Sequence, residues 1–247
     1  MKYVGVDGCP DGWLAVEYEE ATFCAAEQYD DIEAIWDAHD DAELVLIDVP
    51  IGLRETDNTP RPCDAAARRV LGSPRSSSVF PTPVRGVLEA DSYEEARRIQ
   101  EDKTGGSLGA QTWGISNKIR ELDKFMLSNQ SEVKGTICEA HPEVCFWALN
   151  DQQSTRYSKT GMPVAAFWER VEILERIDET IIDDIRSAGT DLRSKAKNDD
   201  LLDAFALAIT GSPLTDPVKP LPRDPPENDD GDPKGLPMEM AYAKFSK

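Results

Sequence analysis

Five acidic side chains occupy apolar settings far apart along the chain: Asp7, Asp48, Glu139, Asp200 and Asp203. Asp7 ends the β-prone run of residues 1–7, in which Val4 and Val6 alternate with Gly5, and Gly8, Pro10 and Gly12 follow it. Asp48 follows the continuous apolar run 44–47 and precedes Pro50 and Gly52. Glu139 closes a third short run before Pro142. The three share one arrangement of strand, acid and breaker. Asp200 and Asp203 lie three residues apart on an Ala- and Leu-rich helical segment, where such spacing puts Cβ atoms roughly 5–6 Å apart on one face. Leu207 continues that face into the core. Asp199 or Asn198 can serve as the helix N-cap, but Asp203 cannot.

A buried carboxylate without a partner is costly, so it should be paired or should hold a metal ion. The competing readings are plainer. Asp7-Gly8 is also an ordinary hairpin signal, Asp48 also suits a turn cap, and Asp203 could be satisfied by a structural hydrogen bond. Gathered together, the five acids would suit Mg²⁺ or Mn²⁺, hard cations that take oxygen ligands. Two such ions about 3.5–4 Å apart can activate water for in-line attack on a phosphodiester and stabilise the leaving oxygen. Glu139, His141 and Glu143 alternate as if on one face of an extended segment. Zinc is poorly served by two histidines and unclustered thiols.

Lys118, Arg85 and Lys159 are the candidate phosphate contacts. Arg61, Arg68, Arg69, Arg75 and Arg85 gather in a chain otherwise poor in positive charge. Arginine suits bidentate phosphate contact, and pairing with the acidic surface is the alternative.

The elements that must position these groups follow from periodicity. Strands are expected at 1–7, 13–18, 21–28 and 44–47, with a helix at 30–39 that has an Asp cap. Residues 54–130 read as an insertion of helical pieces: a helix at 62–72 stopped by Gly72, an extended stretch at 75–85, a helix at 93–103 capped by Ser92, and another at 111–127. A strand ends at Glu139. One long amphipathic helix is expected from about 166 to 188, then the Asp200 helix. Residues 1–211 read as a single domain. Residues 212–234 read as a mobile acidic tail that includes the 227–232 acidic run, and 235–242 as a docking strand.

The chain of 247 residues is 40% hydrophobic, enough for a real core, and carries a net charge of −20. Acidity normally opposes nucleic-acid binding. Its crowding into surface runs, with lysine scarce, resembles proteins of molar cytosolic salt, where the Debye length falls to about 3 Å. The five cysteines are unevenly spaced and odd in number, as expected of reduced thiols in a cytoplasm. No apolar run approaches the roughly 20 residues a membrane span needs.

The segments Val4-Gly-Val-Asp7-Gly, Ile47-Asp48-Val-Pro-Ile-Gly52 and Asp200-Leu-Leu-Asp203-Ala-Phe-Ala-Leu-Ala resemble the carboxylate motifs of the ribonuclease H-like superfamily. The last is similar to the final helix of Holliday-junction resolvases. The full set also resembles domain-of-unknown-function family 429, predicted nucleases of that fold. It includes Arg61-Pro-Cys-Asp64, Ser78-Val-Phe-Pro-Thr-Pro-Val-Arg85, Lys118-Ile-Arg-Glu-Leu-Asp123, Glu139-Ala-His-Pro-Glu143 and Gly235-Leu-Pro-Met-Glu239. The resemblance implies an α/β fold with a mixed sheet and helices on both faces. It also implies a nuclease-like site at Asp7, Asp48, Glu139, Asp200 and Asp203 acting on DNA or RNA. Two other readings compete. A phosphotransferase or ATPase shares the strand-then-acid opening but should carry a better phosphate loop than Gly105-Gly106. A catalytically inactive binding module would keep the scaffold alone.

Overall fold

The computed structural model describes every residue except 162, 193–195, 225, 227, 228 and 247. Glu227, the first residue of the acidic run in the tail, therefore lies outside the described residues. Three antiparallel strands open the chain: β1 (Lys2–Cys9), β2 (Gly12–Glu19) and β3 (Thr22–Tyr29). Helix α1 (Ile32–His39) follows, its Asp31 cap accepting from the Ala34 N–H at 2.8 Å. Strand β4 (Leu44–Ile47) lies parallel to β1, and β5 (Ile137–Glu139) lies parallel to β4. The resulting five-stranded mixed sheet has the order β3-β2-β1-β4-β5.

β1 does not stop at Asp7. It runs on to Cys9, because β2 continues to pair with it through Gly12. What ends near Asp7 is the partner on the other side: β4 pairs with β1 only as far as Val6 and Ile47. Asp7 therefore projects past the end of a neighbouring strand, where the sheet opens.

Between β4 and β5 the chain inserts α2 (Pro62–Leu71), α3 (Tyr93–Thr104), α4 (Ala110–Ser128) and α5 (Gln130–Val133). Gly72 caps α2 at φ 61°, and the Ser92 hydroxyl caps α3 by accepting from the Glu95 N–H. The extended stretch expected at 75–85 instead begins with a 3-10 turn at Arg75–Ser78. The face expected to carry Glu139, His141 and Glu143 is also absent. Pro142 starts α6 (Pro142–Leu149), and His141 caps it, its Nδ1 accepting from the Glu143 N–H at 3.2 Å.

The single helix expected over 166–188 is two helices, α7 (Val164–Glu175) and α8 (Ile181–Leu192). The break holds Asp178, which accepts from the Tyr18 hydroxyl at 2.9 Å and from the Thr180 N–H at 3.0 Å. Apolar period alone does not report such a turn, because Ile177 and Ile181 keep the same stripe on both sides of it. Helix α9 (Asn198–Gly211) ends the domain core.

The two faces of the sheet are covered differently. Val4, Val6, Trp13, Ala15, Val45 and Ile47 pack with residues of α1 and α4. On the opposite face Tyr3, Leu14, Val16 and Tyr18 pack with α7, α8 and α9, with Phe205 fully buried at the centre. Each such large apolar side chain removed from water contributes roughly 1.5–3 kcal/mol.

The tail is not a free linker over its described length. β6 (Lys219–Leu221) pairs antiparallel with β7 (Met240–Tyr242), and Ala241 bridges to Ala140 beside β5. Asp232 is buried and accepts from the Leu53 N–H at 2.9 Å and from the Lys234 N–H at 2.7 Å. All five cysteines are free. Among the described residues no helix is long and apolar enough to cross a membrane.

Candidate carboxylate site

Alternation places the acids. Tyr3, Gly5 and Asp7 share one face of β1, and Leu44 and Leu46 share that face of β4, toward α9. Asp48 is held one residue beyond β4 by its own N–H, which donates to the Val6 carbonyl at 2.9 Å. The ends of two parallel strands thus deliver Asp7 and Asp48 side by side.

The third acid comes from α9, and glycine lets it approach. A Cβ on Gly5 would lie 2.1 Å from the Ala204 carbonyl oxygen and 2.3 Å from the Ala208 nitrogen. The helix therefore rests directly on the β1 backbone. Leu207 packs with Leu46 on the sheet, and one turn earlier Asp203 is carried to Asp7. Glycine inside a strand pattern is the sequence sign of such close approach.

Asp203 is fully buried, and its Oδ1 has no hydrogen-bond partner among the described residues. Its Oδ2 pairs with the Lys159 ammonium, which is about a third exposed (35%). Burial pushes the Asp7 carboxyl well above the usual carboxylate range, and the neighbouring charges of Asp48 and Asp203 push it further, against Lys159. Burial likewise raises Asp203, with Lys159 opposing and Asp48 reinforcing. Burial alone would lower Lys159, but Asp203, Asp48 and Asp7 outweigh it and leave the ammonium raised. Three carboxylates and one ammonium thus form a single electrostatic unit.

The remaining sequence-derived residues divide. Asp200 is half-buried at the rim. The N-cap is Lys197 in place of Asn198 or Asp199, and the Asp200 carboxylate, at the third helical position, accepts from the Lys197 N–H at 3.3 Å. It is close enough for its charge to raise Asp7. Lys118 lies beside the cleft, its ammonium 4.3 Å from the centre of the Trp13 ring.

Glu139 and Arg85, both expected at the site, are each held in ion pairs with other groups, and Glu139 lines a crevice that also reaches Asp48. The Arg61 guanidinium donates to both oxygens of Glu139 at 2.7 and 2.8 Å, and the Ile51 N–H donates to it at 2.6 Å. Arg61 also pairs with Asp64 at 2.7 Å. Glu139 is therefore committed to a buried structural ion pair. The Cys63, Asp64 and Glu139 donor atoms lie within 4.8 Å of one another. Arg61 already occupies the oxygens of both carboxylates, and burial holds the Cys63 thiol protonated. Arg85 pairs with Asp123 and Asp232 and braces the tail against α4.

A cleft of about 170 Å³ opens over the acids, lined by Asp7, Asp48, Lys118 and Lys159 together with Ser78, Phe80, Gln111, Ile115 and His141. Phe80, Gln111 and His141 were not singled out from sequence as site residues. Nothing in the spacing of Phe80 and Gln111 marks them, since the insertion brings both to the cleft, and His141 was noted only for its alternation with Glu139 and Glu143. Gly105-Gly106, considered as a phosphate loop, is the C-terminal cap of α3, with Gly105 at φ 67°.

All-oxygen donors, a buried oxygen lacking a donor, and like charges that raise each other's proton affinity fit a hard divalent cation. The chain belongs to the family described as protein of unknown function (DUF429), whose model matches residues 5–227. No curated protein matches it, and no solved structure does.

Proposed function

We propose that this DUF429 member is a metal-dependent nuclease with a ribonuclease H-like fold, hydrolysing phosphodiester bonds at Asp7, Asp48 and Asp203. The observation that carries the reading is the convergence of these three carboxylates where β4 ends beside β1, with one Asp203 oxygen buried and without a hydrogen-bond partner among the described residues. Three acids brought together from distant segments at such electrostatic cost need a cation to offset it.

Asp7, Asp48 and Asp203 would hold Mg²⁺ or Mn²⁺, in a two-ion arrangement shared among them, with Asp200 at the rim. The cations supply Lewis-acid stabilisation of the charge that builds on the phosphate oxygens. The chain's own groups do the rest. Lys118 and Lys159 face the cleft and orient a phosphate as point charges. Phe80 and Ile115 form an apolar wall that limits water at the reacting group. On substrate entry Lys159 exchanges its Asp203 partner for a phosphate oxygen. The substrate is DNA or RNA, and the acidic surface is compatible with that where molar salt screens it.

Asp7→Asn abolishes Mn²⁺-dependent cleavage of single-stranded or branched nucleic acid in molar salt while the variant still melts cooperatively. Equal activity in the variant removes the proposal. A second reading rests on the Lys159–Asp203 pair, which can stand in for a cation in an inactive binding module. A melting temperature indifferent to Mn²⁺ favours that reading.

A further inference from the structure

The cleft over the acids, at about 170 Å³, is smaller than the roughly 300–1,000 Å³ of pockets that bury a small organic ligand. A much larger cavity of about 540 Å³ lies next to it within the insertion. The two share Phe80 and Gln111 as lining residues. A crevice lined by Asp48, Phe80, Thr82 and His141 also borders both.

Charge distinguishes this cavity. Two of the three arginines that line it are already neutralised: Arg61 by Asp64 and Glu139, and Arg54 by Asp229. Arg68 is different. It lines the cavity, its Nε donates to the Val79 carbonyl at 3.0 Å, and among the described residues it pairs with no carboxylate. In a chain of net charge −20, a half-buried unneutralised guanidinium in a cavity marks a place for an anion. Arg54, also on the wall, has a buried Nε without a hydrogen-bond partner among the described residues. The amides of Asn58 and Gln111 add donor and acceptor pairs of the kind that read a base edge, and Phe80 offers an aromatic face at the passage to the acids.

We propose that this cavity binds the nucleotide adjoining the bond held at Asp7 and Asp48, taken as an unpaired single strand. Phe80 stacks on its base or sugar, and Arg68 neutralises its phosphate. Stacking of a base on an aromatic side chain tolerates any sequence and needs a base face that is not stacked within a duplex. The proposal rests on the nuclease reading for the position of the scissile phosphate, though binding itself does not require cleavage.

The test measures binding of a fluorescent single-stranded oligonucleotide to the full chain carrying Asp7→Asn, with chelator and then with Mn²⁺. Into this background are placed Phe80→Ala and, separately, Ser107→Trp, which brings a large side chain to the exposed rim of the cavity. Each variant is checked for an unchanged cooperative melt. Tenfold or greater weakening by both substitutions, with no weakening of duplex binding, supports the proposal. Unchanged binding in both folded variants, or no oligonucleotide binding before they are introduced, overturns it. Failure of the nuclease reading appears separately: without Asp7→Asn the chain then shows neither a Mn²⁺-dependent melting shift nor cleavage, while Phe80 and Ser107 still control strand binding.

Discussion

Gly5 and Ala204 are in backbone contact: a Cβ on the glycine would lie 2.1 Å from the alanine's carbonyl oxygen. This closeness fixes the height of α9 above the sheet, and with it the position of Asp203 relative to Asp7. Gly5→Ala must push the helix away. Overpacking of a well-packed core costs about 1–3 kcal/mol, and a backbone collision belongs at or above the top of that range. Urea denaturation should show the loss. Any folded population should also lose its Mn²⁺-dependent rise in melting temperature. A stable variant with a normal Mn²⁺ response would separate this contact from the site.

Lys159 offsets part of the charge of Asp203, and Asp7 and Asp48 stand close by. Lys159→Met leaves a buried acid uncompensated. Breaking a fully buried pair costs about 3–5 kcal/mol, but the partly exposed lysine reduces this to about 1–2 kcal/mol. The expected result is a lower melting temperature in chelator that millimolar Mn²⁺ largely restores, since the cation replaces the missing charge. Cleavage should still fall, because a phosphate contact is gone. A loss of stability that Mn²⁺ leaves untouched would show that the lysine acts only in packing.

Glu143 and Arg170 form another buried pair, completed by the Thr155 hydroxyl at 2.8 Å. Burial alone would raise Glu143, but Arg170 and Thr155 outweigh it and hold the carboxyl below its ordinary value. A carboxyl with a depressed folded-state value binds fewer protons when folded than when unfolded. Its contribution is therefore complete above the unfolded value of about 4.5 and is lost as pH falls through the folded one. The stability gap between the wild type and Glu143→Gln should be constant from neutral pH to about 5 and shrink in stronger acid. A gap that widens in acid would reverse the sign and refute this assignment.

Self-repulsion of 47 acidic against 27 basic residues predicts a strong salt response. Raising KCl from 0.1 M to 2 M shortens the Debye length from about 10 Å to below about 3 Å. The melting temperature should rise substantially over that range. Sodium perchlorate at matched ionic strength separates screening from the general salting-out effect of other salts. A flat response would leave the acidic surface without an electrostatic role in stability.

Sequence alone determined the pieces whose causes are local. Alternation of Val4 and Val6 set β1, a continuous apolar run set β4, an Asp cap and Ser92 marked their helix starts, and Gly72 stopped its helix. Asp203 stood out because an acid on an otherwise apolar helix has few ways to be satisfied. Tertiary structure decided what depends on partners distant in the chain. Glu139 has the same strand-acid-breaker setting as Asp7 and Asp48, yet Arg61, 78 residues away, turns it into a structural anchor. Asp232 sits in a stretch with the composition of a mobile tail and is buried because Leu53 and Arg85 await it. An acid's neighbours along the chain say whether it will be desolvated. Only the folded chain says whether the compensating charge is an arginine, a lysine or room for a cation, because that charge comes from segments the local pattern never touches.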